Sequence, residues 1–88
     1  MKKTEILVID NNEKTLQAAV SLVNSNEEWN GTGASTDEDA IEKFHQRSFD
    51  LVLLAENLGG QEDKKLRKIF THQHSDVLMM QYGTGNAD

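Results

Sequence analysis

The sequence contains no cysteine and no proline. Without cysteine, the chain cannot form a disulfide framework, a zinc–thiolate site or a thiol nucleophile. No apolar run approaches the roughly 20 residues of a membrane span, and the run after the basic amino terminus is too short for a signal-peptide core of about 7–15 residues. We therefore expect a cytoplasmic chain that has no contact with a membrane.

Basic residues are also scarce: nine lysines and arginines stand against 15 aspartates and glutamates, which gives a net charge of −6. An acidic chain repels a phosphate backbone, so we expect no nucleic-acid partner. The hydrophobic residues, 36% of the chain, are clustered and periodic, which argues against disorder. The composition predicts a single small domain over residues 1–88.

Four apolar runs predict four β-strands. Three of the runs are continuous, as in strands that are covered on both faces. The other one contains two glycines and is predicted to form an edge strand. The runs are Ile6–Ile9, Trp29–Ala34, Leu51–Leu54 and Val77–Met80.

Helical patterns separate these runs, because apolar residues recur there at the spacing of one helix face. Asn11 or Asn12 can cap the first helix, and Ser35 with Glu38 can form a capping box for the second. Strands that alternate with helices predict right-handed crossovers and a parallel sheet, that is, an α/β sandwich. The periodic residues are Leu16, Ala19, Val20 and Val23, then Ala40, Ile41 and Phe44, then Leu66, Ile69 and Phe70.

Ligands of open α/β sheets bind beyond the carboxyl ends of the strands, so the residues around those ends are the most informative. The segments Ile6–Asn12 and Phe49–Leu54 resemble two strands of the CheY-like receiver domains of response regulators. The first is similar to the opening strand and acidic pair of that family, and the second to the strand that delivers its phosphoacceptor aspartate. Ala34–Ile41 and Asp76–Met80 are similar to the family's entry into the second helix and to its fourth strand.

The resemblance implies a flavodoxin-like, three-layer sandwich. It would contain a parallel sheet of about four strands in the order 2-1-3-4 and three helices, and the family's fifth strand and fifth helix would be missing. These elements would lie downstream if the 88 residues belong to a longer protein. Residues 83–88 are expected to form a flexible tail.

The same resemblance implies a degenerate phosphorylation pocket. Ala55 stands at the position of the phosphoacceptor, and a methyl group cannot accept a phosphoryl group. Asn11 replaces the second acid of the pair, and Gln81 stands at the position of a hydroxyl residue. Asp10 is then the only matching carboxylate, either as a surviving metal ligand or as an acid that caps a turn or the first helix. Magnesium in phosphoryl-transfer sites is held by one or two carboxylates with waters and phosphate. Here one of the matching positions has lost its charge and another has lost its side-chain oxygen atoms, so we expect no bound metal and no cofactor.

These residues predict a protein-interaction module that is not an enzyme and acts without phosphorylation. The alternative is a phosphotransfer component that uses Glu56, Asp10 or a histidine as an atypical acceptor. Glu56 would require a shift in register, and successive strand side chains point to opposite faces. His72 and His74, near Asp76, fall short of the roughly four ligands of a structural metal site.

The fourth strand is predicted to contact another protein chain. In the order 2-1-3-4 it lies at an edge of the sheet, and Val77–Met80 contains no charge and no proline, so it can pair with another strand. We expect a homodimer, formed by edge pairing or by exchange of the carboxyl-terminal segment. The alternative is that Gln81–Asp88 folds back over the edge. The predicted interface residues are Val77, Leu78, Met79, Met80 and Tyr82.

Overall fold

The computed structural model describes residues 3–56 and 58–82. Strands and helices alternate along the chain, as predicted. No helix among these residues has the length and apolar character needed to cross a membrane. The expected flexible tail, 83–88, lies outside the described residues. The elements are β1 (Thr4–Ile9), α1 (Glu13–Asn24), β2 (Trp29–Ala34), α2 (Asp37–Gln46), β3 (Leu51–Ala55), α3 (Gly60–Gln73) and β4 (Leu78–Tyr82).

The four strands form one parallel sheet in the order β2-β1-β3-β4. Ile6 of β1 pairs with Gly31 of β2 on one side and with Leu51 of β3 on the other. Leu51 in turn pairs with Leu78 of β4. The predicted flavodoxin-like topology, with four strands and three helices, is therefore confirmed.

Helices cover both faces of this sheet, because successive side chains of a strand point to opposite sides. Leu7 and Ile9 of β1 pack with α2 and α3, whereas Ile6 and Val8 pack with α1. Burial of a large apolar side chain contributes about 1.5–3 kcal/mol, so both helix layers stabilise the central strands. The buried helix residues are Ala40, Phe44, Leu66 and Phe70 on the first face, and Leu16 and Val23 on the second.

Each of the first two helices begins at a side chain that accepts a backbone hydrogen bond. Asn12 caps α1 and accepts from two amides of the first turn. Thr36 caps α2 and accepts from the N–H of Asp39 at 3.0 Å. The predicted capping box at Ser35 was therefore wrong by one residue, because the helix begins at Asp37 and its cap must directly precede it.

The two glycines of β2 allow α1 to lie close against the sheet. A Cβ atom at Gly33 would lie 3.0 Å from Val20 Cγ2 and 3.2 Å from Leu16 Cδ1, and one at Gly31 would lie 3.0 Å from Val23 Cγ1. Larger residues would push the helix away, so the glycines hold α1 over the β2 side of the sheet.

The last strand extends beyond its apolar run. It spans Leu78–Tyr82 rather than Val77–Met80, and the N–H of Glu56 donates to the carbonyl of Tyr82 at 2.9 Å. The prediction ended the strand too early because Gln81 is polar. Main-chain pairing with β3 does not depend on the polarity of that side chain.

Candidate functional site

The carboxyl ends of three adjacent strands bring Asp10, Ala55 and Tyr82 together. Asp10 follows β1, Ala55 ends β3, and Tyr82 ends β4. Ala55 and Tyr82 are paired in register. Asp10 and Ala55 are buried, and Tyr82 is half-buried. Because ligands of open α/β sheets bind at this end of the strands, the three residues mark the candidate site.

Within the part of the chain that the structure describes, the backbone of Asn12 and the hydroxyls of Thr15 and Tyr82 donate hydrogen bonds to the carboxylate of Asp10. The backbone N–H of Asn12 donates to Oδ1 at 2.9 Å. The hydroxyl of Thr15 donates to Oδ2 at 2.5 Å, and the phenol of Tyr82 donates to the same oxygen at 2.9 Å. Buried polar groups are costly unless they are hydrogen-bonded. The start of α1 and the end of β4 therefore both stabilise this carboxylate.

Tyr82 acts in this cluster as a stable hydrogen-bond donor. Burial raises the pKa of its phenol well above the ordinary value of 10.0, and the hydrogen bond to Asp10 raises that pKa further. Ionised, the phenol would place a second negative charge against the Asp10 carboxylate. At neutral pH the hydroxyl therefore keeps its proton, and Tyr82 is neither a base nor a nucleophile.

The other predicted pocket residues lie in different surroundings. Asn11 is exposed, and its Nδ2 donates to Glu62 Oε1 of α3 over 3.4 Å. Gln81 is exposed and lies within β4, whereas the hydroxyl that reaches Asp10 belongs to Tyr82. The hydroxyl of β4 that contacts Asp10 is therefore that of Tyr82. The match of Gln81 to the family's hydroxyl position stays a prediction from the resemblance.

The alternative acceptors other than Asp10, namely Glu56 and the histidines, are exposed. Glu56 follows β3 at the surface, and its backbone N–H bonds to β4. His72 lies in the last turn of α3, and His74 is the residue that caps the carboxyl end of this helix. His45 lies in the last turn of α2. Among residues 3–56 and 58–82, no group of three or more His, Cys, Asp or Glu side chains could hold a metal ion.

The side chains at the carboxyl ends of the strands do not fit a magnesium ion as ligands, although the resemblance places the family's phosphorylation site there. Magnesium requires near-octahedral oxygen ligands at about 2.0–2.1 Å. Asp10 instead accepts hydrogen bonds from N–H or O–H groups on both carboxylate oxygens. Ala55 supplies no side-chain oxygen, and Asn11 supplies no charge.

Two members of the cluster, Thr15 and Tyr82, were not predicted to bind Asp10. Thr15 carries a local signal, since it lies only five residues after Asp10 and in the first turn of a helix. Tyr82 lies 72 residues away from Asp10. No local pattern identifies such a partner, because the contact depends on the order of the strands.

The predicted interface residues of the fourth strand divide between two environments. Val77 is buried and Met79 is half-buried on the face covered by α2 and α3. Leu78 and Met80 are exposed. Tyr82 belongs to the Asp10 cluster described above. The exposed apolar surface of β4 is therefore confined to one face of the sheet.

Comparison with known proteins gives a likeness in structure but none in sequence. No family model matches the chain, and no curated protein matches it. The chain is similar to a CheY-like response regulator receiver domain protein from Methanospirillum hungatei JF-1, with a TM-score of 0.82 and 16% identity. That match covers 98% of this chain and 68% of the other.

Two further solved structures are similar. The signal receiver domain of an HD domain-containing protein from Pseudomonas fluorescens Pf-5 matches 99% of this chain and 68% of its own, with a TM-score of 0.81 and 23% identity. The response regulator TrrA of Thermotoga maritima, in complex with the histidine kinase ThkA, matches 96% of this chain and 72% of its own, with a TM-score of 0.77 and 19% identity. The chain thus has the fold of CheY-like receiver domains.

Proposed function

We propose that this chain is a pseudo-receiver: a non-catalytic module of two-component signalling that binds proteins without being phosphorylated. The observation that carries the proposal is Ala55, buried at the carboxyl end of the central strand β3 and paired with Tyr82. The family resemblance assigns this position to the phosphoacceptor, and alanine has no oxygen atom with which to accept a phosphoryl group.

The surroundings of Ala55 support the same conclusion. Asp10, the nearest matching carboxylate, is held by the hydroxyls of Thr15 and Tyr82 and by a backbone N–H. Three donors stabilise its charge without a metal ion. The carboxylate at this end of the sheet is therefore held in a hydrogen-bonded cluster rather than beside an acceptor for a phosphoryl group.

A protein partner is part of the proposal. One structurally similar response regulator, TrrA, was solved with the histidine kinase ThkA, so this fold serves as a docking platform in that protein. For the present chain we propose a cytoplasmic protein partner, and we propose that binding depends on surface contacts rather than on a phosphorylation state.

We also propose that the chain forms a homodimer through the edge of β4. The N–H of Leu78 and the carbonyl of Tyr82 bond to the β3 side. Backbone groups alternate in direction along a strand, so Met79 and Gln81 present their N–H and C=O groups to the edge with which no other described strand pairs. Such groups are a template for pairing with a second strand.

The opposite edge of the sheet is protected, which favours β4 as the pairing edge. On β2, the outward N–H of Gly31 donates to Asn24 Oδ1 at 2.7 Å. The outward carbonyl of Gly33 accepts from Lys43 Nζ at 2.6 Å. Side chains of α1 and α2 thereby cap two of the outward main-chain groups that a second copy would need.

The absence of phosphorylation is tested by incubating the full chain with acetyl phosphate and magnesium and measuring its intact mass. We expect no phosphoryl adduct. A stable adduct would overturn the proposal, and the variants Asp10→Ala, Glu56→Ala and His→Ala at positions 45, 72 and 74 would then locate the acceptor. A phosphorylatable receiver domain, treated in the same way, is the positive control that shows that the phosphodonor was active.

A further inference from the structure

Asn30 and Gly31 form the only asparagine–glycine dipeptide of the sequence, and both residues lie in the edge strand β2. An asparagine that precedes glycine is the most readily deamidated kind, because glycine has no side chain to hinder attack by its backbone nitrogen. Both residues are half-buried in the folded chain. The dipeptide is therefore a candidate site of spontaneous covalent modification.

Deamidation joins the backbone nitrogen of Gly31 to the side-chain carbon Cγ of Asn30. The nitrogen loses its proton and bonds to Cγ, the bond between Cγ and Nδ2 breaks, and Nδ2 leaves as ammonia. Water then opens the resulting succinimide ring at one of its two carbonyl carbons, which gives aspartate or isoaspartate. Water is the co-reactant, and no atom is oxidised or reduced.

The nucleophile of this reaction is bound in the folded protein. The N–H of Gly31 donates to Asn24 Oδ1 at 2.7 Å, at the short end of the range for such bonds. Asn24 is the last residue of α1, so this helix holds the proton that must leave before the nitrogen can attack. An amide oxygen is too weak a base to remove that proton.

The side chain and the backbone of Asn30 are also held in an unreactive arrangement. Nδ2 of Asn30 donates to Oε1 and Oε2 of Glu5 at 3.0 and 3.2 Å. The same two residues are paired in the parallel ladder between β1 and β2. A succinimide ring requires a backbone turn at the asparagine, which an extended strand residue cannot make. The ring can therefore close only after this part of β2 leaves the sheet.

The packing of the fold requires the residue that makes the dipeptide reactive. A Cβ atom at Gly31 would lie 3.0 Å from Val23 Cγ1 of α1, so a larger residue would slow deamidation only by pushing the helix away. The amide of Asn30 in turn supplies a donor to Glu5, which also accepts from Arg47 Nη2 at 3.0 Å. The same two residues thus stabilise the edge of the sheet and carry its chemical lability.

We propose that Asn30–Gly31 is a latent modification site, which the pairing of β2 protects and the opening of β2 exposes to deamidation. The rate in the folded protein is then the intrinsic rate multiplied by the fraction of molecules in which β2 is open. Isoaspartate adds an atom to the main chain and disturbs the register with β1. Aspartate places a carboxylate beside Glu5 and removes the amide donor. Either product makes renewed pairing of β2 less favourable.

The test follows residue 30 by mass spectrometry during incubation of the full chain at neutral pH. A protease that cleaves after glutamate, used in mildly acidic buffer, releases the segment Trp29–Glu38, in which Asn30 is the only asparagine. Conversion of the amide to an acid raises the mass of this segment, and chromatography separates the aspartate and isoaspartate forms. A synthetic peptide of the same segment, incubated in the same buffer, gives the intrinsic rate.

We expect residue 30 of the folded chain to react at least about tenfold more slowly than the peptide, which corresponds to an opening free energy of about 1.4 kcal/mol. The chain unfolded in guanidinium chloride should react at the rate of the peptide in the same denaturant. Equal rates in the folded chain and the peptide would overturn the proposal. An unfolded chain that reacts as slowly as the folded one would also overturn it, because folding would then provide no protection.

A variant tests the contact that holds the nucleophile. Asn24→Ala removes the acceptor of the Gly31 N–H and should speed the reaction in the folded chain by about two- to tenfold, as expected for one lost hydrogen bond. Asn11→Ala makes the same change at an exposed asparagine beyond the carboxyl end of β1 and should leave the rate unchanged. Urea unfolding checks that both variants are folded in the assay. Equal rates for the two variants would overturn the protective role of Asn24.

The effect of the product on β2 is measured with a substituted chain. Asn30→Asp corresponds to the aspartate product, and we expect it to lower the urea midpoint, because two carboxylates then share the contact with Arg47. Glu5→Gln in the same chain should restore part of the loss, since it removes one of the two charges. An unchanged midpoint for Asn30→Asp would overturn the claim that this product impedes pairing. None of these measurements involves a phosphodonor or a partner, so their outcome is independent of the pseudo-receiver function.

Discussion

The phenol of Tyr82 donates a hydrogen bond of 2.9 Å to the carboxylate of Asp10, although the two residues are 72 positions apart. The strand between them is β3, whose last residue is Ala55. Because neighbouring strands are about 4.8 Å apart, the tyrosine side chain must cross over β3 to reach Asp10. This contact joins the last strand to the residue that follows the first strand.

The raised pKa of Tyr82 predicts a late titration of its phenol. The chain contains one tyrosine, so phenolate absorbance in the near ultraviolet reports on this residue alone. In the folded protein we expect the midpoint to lie above the ordinary value of 10.0. In denaturant the midpoint should return to that value. As the pH rises, the phenol of the unfolded state therefore loses its proton before that of the folded state. The free energy of unfolding should fall as the pH rises above 10.0.

The variant Asp10→Asn serves as the control for this titration. It keeps the size of the side chain and removes its negative charge, so the Tyr82 midpoint should move down toward the ordinary value. Circular dichroism at each pH identifies the range in which the protein is folded. A folded wild-type protein whose phenol titrates at the ordinary value would contradict the hydrogen bond between the two residues.

Removal of the Tyr82 hydroxyl should destabilise the fold. Tyr82→Phe keeps the ring but deprives a buried carboxylate of one donor, and we expect a loss of about 1–3 kcal/mol in the free energy of unfolding at neutral pH. Urea unfolding measures this loss. Thr71→Val, which removes an exposed helix hydroxyl, is the control and should change stability by less than about 0.5 kcal/mol. Equal effects of the two variants would show that the contact with Asp10 contributes nothing.

The proposed dimer should depend on the main chain of β4. Gln81→Pro removes an N–H that faces the open edge and bonds to no other strand of the sheet, so the monomer should remain folded. We expect light scattering to detect a dimer for the wild-type chain and for Gln81→Ala, but a monomer for Gln81→Pro. A wild-type chain that is monomeric at high micromolar concentration would disprove edge pairing.

The packing of α1 on β2 predicts opposite effects for two glycines. Gly33→Val should destabilise the protein by about 1–3 kcal/mol, because the new side chain collides with Val20 and Leu16. Gly60→Ala, in the first turn of α3 and with no atom near the new methyl group, should stabilise it by about 0.4–1 kcal/mol. Thermal and urea unfolding compare the two. A neutral Gly33→Val would show that α1 can move away from the sheet without cost.

The prediction of the fold from the sequence succeeded where the signal was local. The continuous run at Ile6–Ile9 and the periodic apolar residues of α1 depend on neighbours within a few positions, and the structure confirms both elements. The errors lie at element ends. The cap at Thr36 and the extension of β4 through Tyr82 depend on single hydrogen bonds, which composition and periodicity do not reveal.

By itself, the sequence determined the alternation of strands and helices, the acidic net charge and the presence of alanine at position 55, because each is a property of consecutive residues or of residue counts. Only the tertiary structure decided that Tyr82 binds Asp10 and that α1 leaves Leu78 and Met80 uncovered. Both features arise when parallel strands from distant parts of the chain become neighbours. Their physical cause is the spacing of strands and the width of a single helix.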